Sequence, residues 1–208
     1  LLREYAERQS ETAFAELVSR HLDLVYSTAM RATGERQLAK DVAQTVFIEL
    51  ARRPKSIRNP GALAGWLYRA SRLAAANAVR TEVRRRHREN LAMDLNQADA
   101  ESPSVWQTVA PHLEEAMGTL DDSDQTAIVL RFFKGQSLRD VGRALGITED
   151  TAQKRVSRAL ERLRGHFVER GVTVSSGALS ALLAAHAVEG APAGLALSLA
   201  GASLTAGT

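Results

Sequence analysis

Apolar side chains recur every three or four residues along most of the chain, which is the spacing of helices that bury one face. The first such stretch covers residues 11–33 and ends at Gly34, and the second runs over about 35–52. A third extends from residue 60 to about 89. Because no stretch alternates apolar and polar residues as a half-buried strand does, the pattern predicts an all-α protein.

Residues 53–60, with the sequence RPKSIRNP, interrupt this pattern between the second and third helices. Pro54 and Pro60 both prevent a helix from continuing. Asn59 is a candidate N-cap, with Pro60 at the first position of the third helix. Asn77 falls on or near the apolar stripe of that helix, so it needs a hydrogen-bond partner if it is buried.

Residues 137–164 have the pattern of two helices joined by a tight turn. Ser137 and Thr148 are candidate N-caps, and Gly146 stands where the first helix must end. Gly142 is small enough for the second helix to cross closely. At about 100° per residue, the second helix places one group of side chains opposite its apolar face, namely Lys154, Ser157, Arg158 and Glu161. The pattern predicts a DNA-binding helix-turn-helix, although an ordinary amphipathic helix with a solvated face also fits it.

Composition narrows the classes of function. The 208 residues include no cysteine, which excludes disulfides, thiol catalysis and cysteine-ligated zinc. This fits a cytoplasmic protein. The five histidines lack metal-ligand spacing, and no phosphate-binding or hydrolase motif is present. We therefore expect no metal, no cofactor and no enzymatic activity.

Although the net charge is only +3, basic and acidic residues are segregated along the chain. Residues 80–88 hold five arginines and one acid, more than a helix terminus needs, which favours contact with phosphates. Residues 89–124 hold nine acids and no Lys or Arg, and residues 131–170 hold ten basic and five acidic residues. This order predicts two modules that face nucleic acid, joined by an acidic connector.

At this point the sequence resembles a bacterial extracytoplasmic-function sigma factor of the sigma-70 family. The resemblance covers about residues 10–168, and four segments carry it: AFAELVSRHLDLVYSTAMRATG, DVAQTVFIELAR, GWLYRASRLAAANAVRTEVRRR and LDDSDQTAIVLRFFKGQSLRDVGRALGITEDTAQKRVSRALERLR. It implies two small helical domains, region 2 at 10–89 and region 4 at 105–170. It also implies a flexible acidic linker at 90–104, and leaves an Ala/Gly-rich helical tail at 171–208.

The resemblance also implies a function and its partners. Such a protein binds the RNA polymerase core and directs initiation at promoters by reading their −35 and −10 elements. An anti-sigma factor is a further candidate partner. In this family the second helix binds core polymerase, which assigns Asp41 and Gln44 to that contact. Thr45 stands where many members have Glu.

Residues for the two promoter elements follow from the same resemblance. The −10 element is assigned to the loop before the third helix and to that helix: Lys55, Ser56, Ile57, Arg58, Asn59, Trp66, Arg69, Asn77, Arg80, Arg84, Arg85 and Arg86. For Trp66, a place in the core is an equal alternative. Leu73 and Asn77 depart from the Asn and Asp that the family often has. The −35 element is assigned to Gln153, Lys154, Arg155, Ser157 and Arg158, with Arg155 on a flank near phosphate.

The tail predicts two short helices, at about 177–188 and 192–203, with Ser176 as a cap and Pro192 as the start of the second. Three interpretations stay open: docking in cis on the sigma modules with regulation, a lead-in to a membrane segment, and a disordered Ala/Gly tail. We prefer docking in cis. Residues 190–208 are uncharged but rich in Gly, Ala, Ser and Thr, so a spanning helix is weakly supported and membrane contact stays open.

Two other functions compete with a promoter-specificity subunit. One is a helix-turn-helix regulator that binds duplex DNA without polymerase. The other is a sigma-like decoy that binds polymerase or a regulator without initiating transcription.

Overall fold

The computed structural model describes the backbone of residues 1–57, 59–89 and 105–207, and their side chains except for 84–89 and 206–207. The predicted linker at 90–104 therefore lies outside the described residues. All regular elements in the described ranges are helical, which confirms the all-α class. They are α1 Leu2–Arg8, α2 Glu11–Thr33, α3 Arg36–Arg52, α4 Leu63–Glu89, α5 Val105–Gly118, α6 Asp122–Ile128, α7 Leu138–Leu145, α8 Glu149–Glu169, α9 Ser176–His186 and α10 Leu195–Gly207.

The N-terminal module packs α1 to α4 around one apolar core. Gly34 ends α2 with φ of 67°, a left-handed conformation that glycine adopts without steric cost. The Asn59 side chain accepts a hydrogen bond from the Gly61 amide, and Pro60 opens a short 3₁₀ turn, Pro60–Ala62, before α4. Asn59 is therefore a cap as predicted, but it caps the 3₁₀ turn, and α4 itself begins at Leu63 instead of residue 60. Asn77 is exposed, so the predicted burial problem does not arise.

The C-terminal module packs α5 to α8 around a second core. Asp121 caps α6 by accepting from the Ser123 and Asp124 amides, and Thr148 caps α8 by accepting from the Thr151 amide. A Cβ on Gly142 would lie 2.8 Å from the Ile147 carbonyl oxygen, so a glycine is needed where α7 meets the turn. The segment Val129–Phe133 after α6 is a π-helical turn, which the sequence pattern did not predict.

The tail docks on both modules and divides between their cores. Leu179 and Leu183 of α9 are buried in the C-terminal core, whereas Leu199 and Ala200 of α10 are buried in the N-terminal core against α2 and α3. The predicted docking in cis is therefore present in the structure. Because apolar side chains of both helices are buried, these contacts stabilise the tail where it lies.

Two details of the predicted tail were wrong. Ser175, not Ser176, caps α9 by accepting from the Ala178 amide. The last helix begins at Leu195, because the Gly194 backbone has a φ of 79° that a right-handed helix cannot continue through. Within the described part of the chain, no helix combines the length and apolarity needed to cross a membrane.

Candidate nucleic-acid interface

The outward face of α8 brings together most of the residues assigned to −35 reading. Gln153, Lys154, Ser157 and Arg158 are all exposed and line one shallow depression with Asp150 and Thr151. Lys154 Nζ lies 2.8 Å from Asp150 Oδ2, an exposed ion pair of the kind that contributes little to stability. A guanine edge or a phosphate could therefore replace Asp150 as the partner of Lys154 at small cost.

Arg155 lies differently from its four neighbours. Its guanidinium points toward α6, where it donates to Ser123 Oγ and lies 3.6 Å from Asp124 Oδ1. Arg162 donates to the other oxygen of the same carboxylate at 3.2 Å. Asp124 is only 4% exposed, so this carboxylate is enclosed between α6 and α8. The sequence analysis missed Asp124, because an acid after an N-cap is expected on any helix.

The loop assigned to −10 reading has one side against its own module and one side against region 4. Ile57 is buried in the N-terminal core, whereas Lys55 and Ser56 are exposed. Asn59 Nδ2 donates to the Ala144 carbonyl at 2.8 Å, at the end of α7. Arg58 lies outside the described residues. In this arrangement the helix-turn-helix covers part of the loop.

Helix α4 carries the rest of the −10 set. Trp66 is half-buried and packs against the N-terminal core, which fits the core alternative without testing a role in DNA binding. Arg69 donates to Thr126 Oγ1 at 3.1 Å and lies 3.6 Å from Asp122 Oδ2. Asn77 and Arg80 are exposed and hydrogen-bonded to each other. The side chains of Arg84, Arg85 and Arg86 lie outside the described residues.

The two residues assigned to polymerase contact lie one turn apart on the outer side of α3. Asp41 is exposed and accepts a hydrogen bond from Gln37 Nε2 at 3.1 Å. Gln44 is half-buried, and Thr45 Oγ1 donates to the Asp41 carbonyl instead of presenting a carboxylate to solvent. This surface offers one negative charge and hydrogen-bonding groups to a partner.

A half-buried ion cluster joins the two modules, and none of its members was singled out from the sequence. Glu114 of α5 accepts from Arg31 Nε at 2.9 Å and from the Tyr68 hydroxyl at 2.6 Å, with Arg72 Nε at 3.5 Å. Burial and the Glu114 carboxylate raise the pKa of Tyr68 well above its usual value, so the hydroxyl stays a donor. Glu114 lies beside the apolar stripe of α5, and the sequence around it does not indicate which distant residues it contacts.

A second contact between the modules surrounds a cavity of about 710 Å³. Its lining includes His21 from α2 and Lys134 from the end of the π turn, and Lys134 Nζ donates to the Arg20 carbonyl at 2.6 Å. Burial, together with the smaller effect of the charges of Lys134 and Arg20, lowers the pKa of His21 to about 4. The imidazole is therefore neutral at physiological pH.

Comparison with known proteins identifies both modules. The family described as Sigma-70 region 2 matches residues 17–88, and Sigma-70, region 4 matches residues 116–165. The chain is 32% identical over 164 residues to the ECF RNA polymerase sigma factor SigE of Mycolicibacterium smegmatis, covering 74% of this chain and 61% of that protein. It is 26% identical to the probable RNA polymerase sigma factor RfaY of Xanthomonas campestris, covering 83% of this chain and 45% of that protein.

The chain thus spans less than two thirds of the length of these two relatives. Among solved structures, the sigma factor RpoE in complex with the anti-sigma factor NepR from Bartonella quintana is 20% identical, covers 79% of this chain and 98% of that chain, and has a TM-score of 0.32. The two sigma-70 regions stand in the expected order, and the relatives include named extracytoplasmic-function factors. The chain belongs to the sigma-70 family, in its extracytoplasmic-function group.

Proposed function

We propose that this protein is a promoter-specificity subunit of RNA polymerase. It docks on the core enzyme through Asp41 and Gln44 on α3 and reads the −35 element with the outward face of α8. It reads and traps the melted −10 strand with the 55–59 loop and α4. The observation that carries the proposal is the presence of both sigma-70 regions in order, with an exposed polar and basic face on the second helix of the helix-turn-helix.

The names of the relatives support the same proposal, since SigE and RfaY are both named as RNA polymerase sigma factors. The action is binding and not catalysis, because the proposed contacts need only charge, hydrogen bonds and stacking. Core polymerase is cytoplasmic, so the proposal places this protein in the same compartment.

The direct test is transcription in vitro with core polymerase, followed by mapping of the start sites. We expect transcripts whose start sites share upstream −35 and −10 elements, and none from core alone. Arg158→Ala should flatten the preference at one −35 position by about 1–3 kcal/mol, the usual contribution of a good base contact. Core enzyme that gains no promoter preference would contradict the proposed function and leave the decoy and the polymerase-independent regulator.

A regulator that works without polymerase is the second candidate, and α3 separates it from the first. Asp41→Ala should weaken binding to core polymerase in the proposed function and leave duplex binding by α8 unchanged. Glu11→Gln is a matched control, because Glu11 is an exposed acid of the same module at the start of α2. If neither variant alters core binding, the α3 assignment is wrong.

A further inference from the structure

The recognition helix is attached to α6 at two points on its inner side. Arg155 and Arg162 are seven residues apart, which is close to two full turns, so both project from the same side of α8. Both reach Asp124, at 3.6 Å and 3.2 Å, one to each carboxylate oxygen. Two attachments on one fixed point restrict rotation of the helix about its own axis.

The anchor itself is held in place. The Asp124 amide donates to Asp121 Oδ1 at 2.9 Å, as part of the N-cap of α6. The Asp124 carboxylate is buried, and the Arg155 guanidinium, 22% exposed, also donates to Ser123 Oγ. Arg155 Nε is buried without a hydrogen-bond partner. The inward orientation of this side chain therefore costs some free energy.

We propose that Asp124 is a positioning residue for −35 recognition, which acts through Arg155 and Arg162 to fix the rotation of α8. Rotation matters because Gln153, Lys154, Ser157 and Arg158 occupy the opposite side of the same helix. A turn of about 20° would move their ends by more than the tolerance of a hydrogen bond to a base edge. The inference rests on the proposed function, and it gives Arg155 an inward role in place of a contact with phosphate.

The electrostatic effect and the positioning role predict opposite changes in affinity for the −35 duplex when Asp124 is replaced by Asn. Asp124→Asn removes a negative charge beside a DNA-binding helix, so charge alone would tighten binding to any duplex. Positioning predicts a different result: affinity for the duplex carrying the mapped −35 element falls, while affinity for a scrambled duplex stays or rises. We expect the ratio of the two affinities to fall about tenfold, roughly the effect of losing one base contact.

The measurement uses the full chain, with fluorescence anisotropy on both duplexes at several salt concentrations. Arg155→Gln should lower the selectivity ratio in the same way and leave the salt dependence unchanged. A phosphate contact would instead reduce the slope of log K against log salt by about 0.9. Glu169→Gln is the charge control, because Glu169 is an exposed acid at the far end of α8, and its ratio should not change.

A second measurement needs no DNA and separates this proposal from the proposed function. Amide hydrogen exchange over residues 149–158 should become faster in Asp124→Asn than in Glu169→Gln. If Asp124→Asn does not fold, the double variant Arg155→Gln with Arg162→Gln gives the same two readouts. An unchanged selectivity ratio, unchanged exchange or a reduced salt slope for Arg155→Gln would each overturn the positioning role. Absence of promoter-specific transcription would overturn the proposed function instead.

Discussion

His21 is a neutral imidazole that is partly buried where the two modules meet. Its Nδ1 is buried without a hydrogen-bond partner, and its ring shares the cavity with the cations Arg20, Lys134 and Arg143. An imidazolium would have to form with little solvent and near like charges, which is why its pKa falls to about 4. The sequence alone shows only a histidine beside an arginine, because the opposing Lys134 is more than a hundred residues away.

The lowered pKa of His21 makes stability depend on pH with a defined sign. The unfolded chain binds the proton near pH 6.5 and the folded chain only near pH 4, so protonation favours unfolding. The contribution of His21 is complete above about pH 6.5 and is lost as the pH falls toward 4. We expect the free energy of unfolding to fall by about 2 kcal/mol more between pH 7 and pH 5 in the wild type than in His21→Gln, measured by urea titration. Equal pH dependence in the two proteins would contradict the burial of this ring.

At the scale of elements, the helix-turn-helix depends on one close approach. A Cβ on Gly142 would meet the Ile147 carbonyl oxygen at 2.8 Å and the Thr148 carbonyl at 3.2 Å, and backbone atoms cannot move aside as a flexible side chain can. Alanine is better than glycine within a helix by about 1 kcal/mol, but a clash of this kind costs roughly 1–3 kcal/mol. The cost of the clash should therefore exceed the gain in helix propensity.

We expect Gly142→Ala to lower the free energy of unfolding and to weaken duplex binding through α8. Gly165→Ala is the matched control, because Gly165 also lies in a helix and nothing lies within 4 Å of its Cβ position. That variant should be stabilised by up to about 1 kcal/mol. Urea denaturation measures both, and a gain of stability in Gly142→Ala would show that the turn relaxes.

Helix bounds were largely predictable from the sequence because they depend on local chemistry. Ser137, Thr148 and Gly34 act at the positions where the pattern placed them, as caps or as a stop. The π turn Val129–Phe133 was not predictable, because apolar spacing cannot distinguish it from the end of an α-helix. The partners of Glu114 and Asp124 were also hidden, since an ion pair between distant residues leaves no local pattern.

At the scale of the whole molecule, the two modules are packed against each other, and the packing covers part of the loop that is assigned to −10 reading. Gly65 of α4 lies so close to α6 that a Cβ would overlap Thr126 Oγ1 and would lie 2.8 Å from Thr126 Cβ. In the same region Arg69 and Asn59 hydrogen-bond to region 4. In the proposed function, the 55–59 loop has to leave Ala144 before a DNA strand can take its place.

Gly65→Ala should therefore separate the two modules without unfolding either of them. Alanine favours α4 itself, while its Cβ forces α4 and α6 apart. We expect a larger radius of gyration by small-angle X-ray scattering and a far-ultraviolet circular dichroism spectrum that keeps its helical signal. Gly165→Ala should leave the scattering unchanged. Identical scattering for both variants would mean that the modules accommodate the methyl group while closed.

Truncation after Gly171 tests the part that the tail plays in the closed arrangement. Ser27 Oγ donates to the Glu189 carbonyl and accepts from the Glu189 amide, both at 2.8 Å, so the segment between α9 and α10 is fixed to α2. Because α9 packs on one module and α10 on the other, we expect the truncated chain to be more open by scattering and less stable to heat. Unchanged polymerase binding and promoter activity would exclude regulation by the tail.

The ring contact between α5 and α9 allows separation of α9 from the C-terminal module to be followed by fluorescence. Trp106 stacks on His186 with ring centroids 5.4 Å apart and planes 30° from parallel. The chain has only two tryptophans, and the other, Trp66, lies in the N-terminal module. Undocking of α9 would uncover this face of the Trp106 ring, and an indole that becomes exposed to water emits at longer wavelength. The emission maximum of Trp106 should therefore shift when α9 leaves, so the protein carries a fluorescent reporter of its own tail.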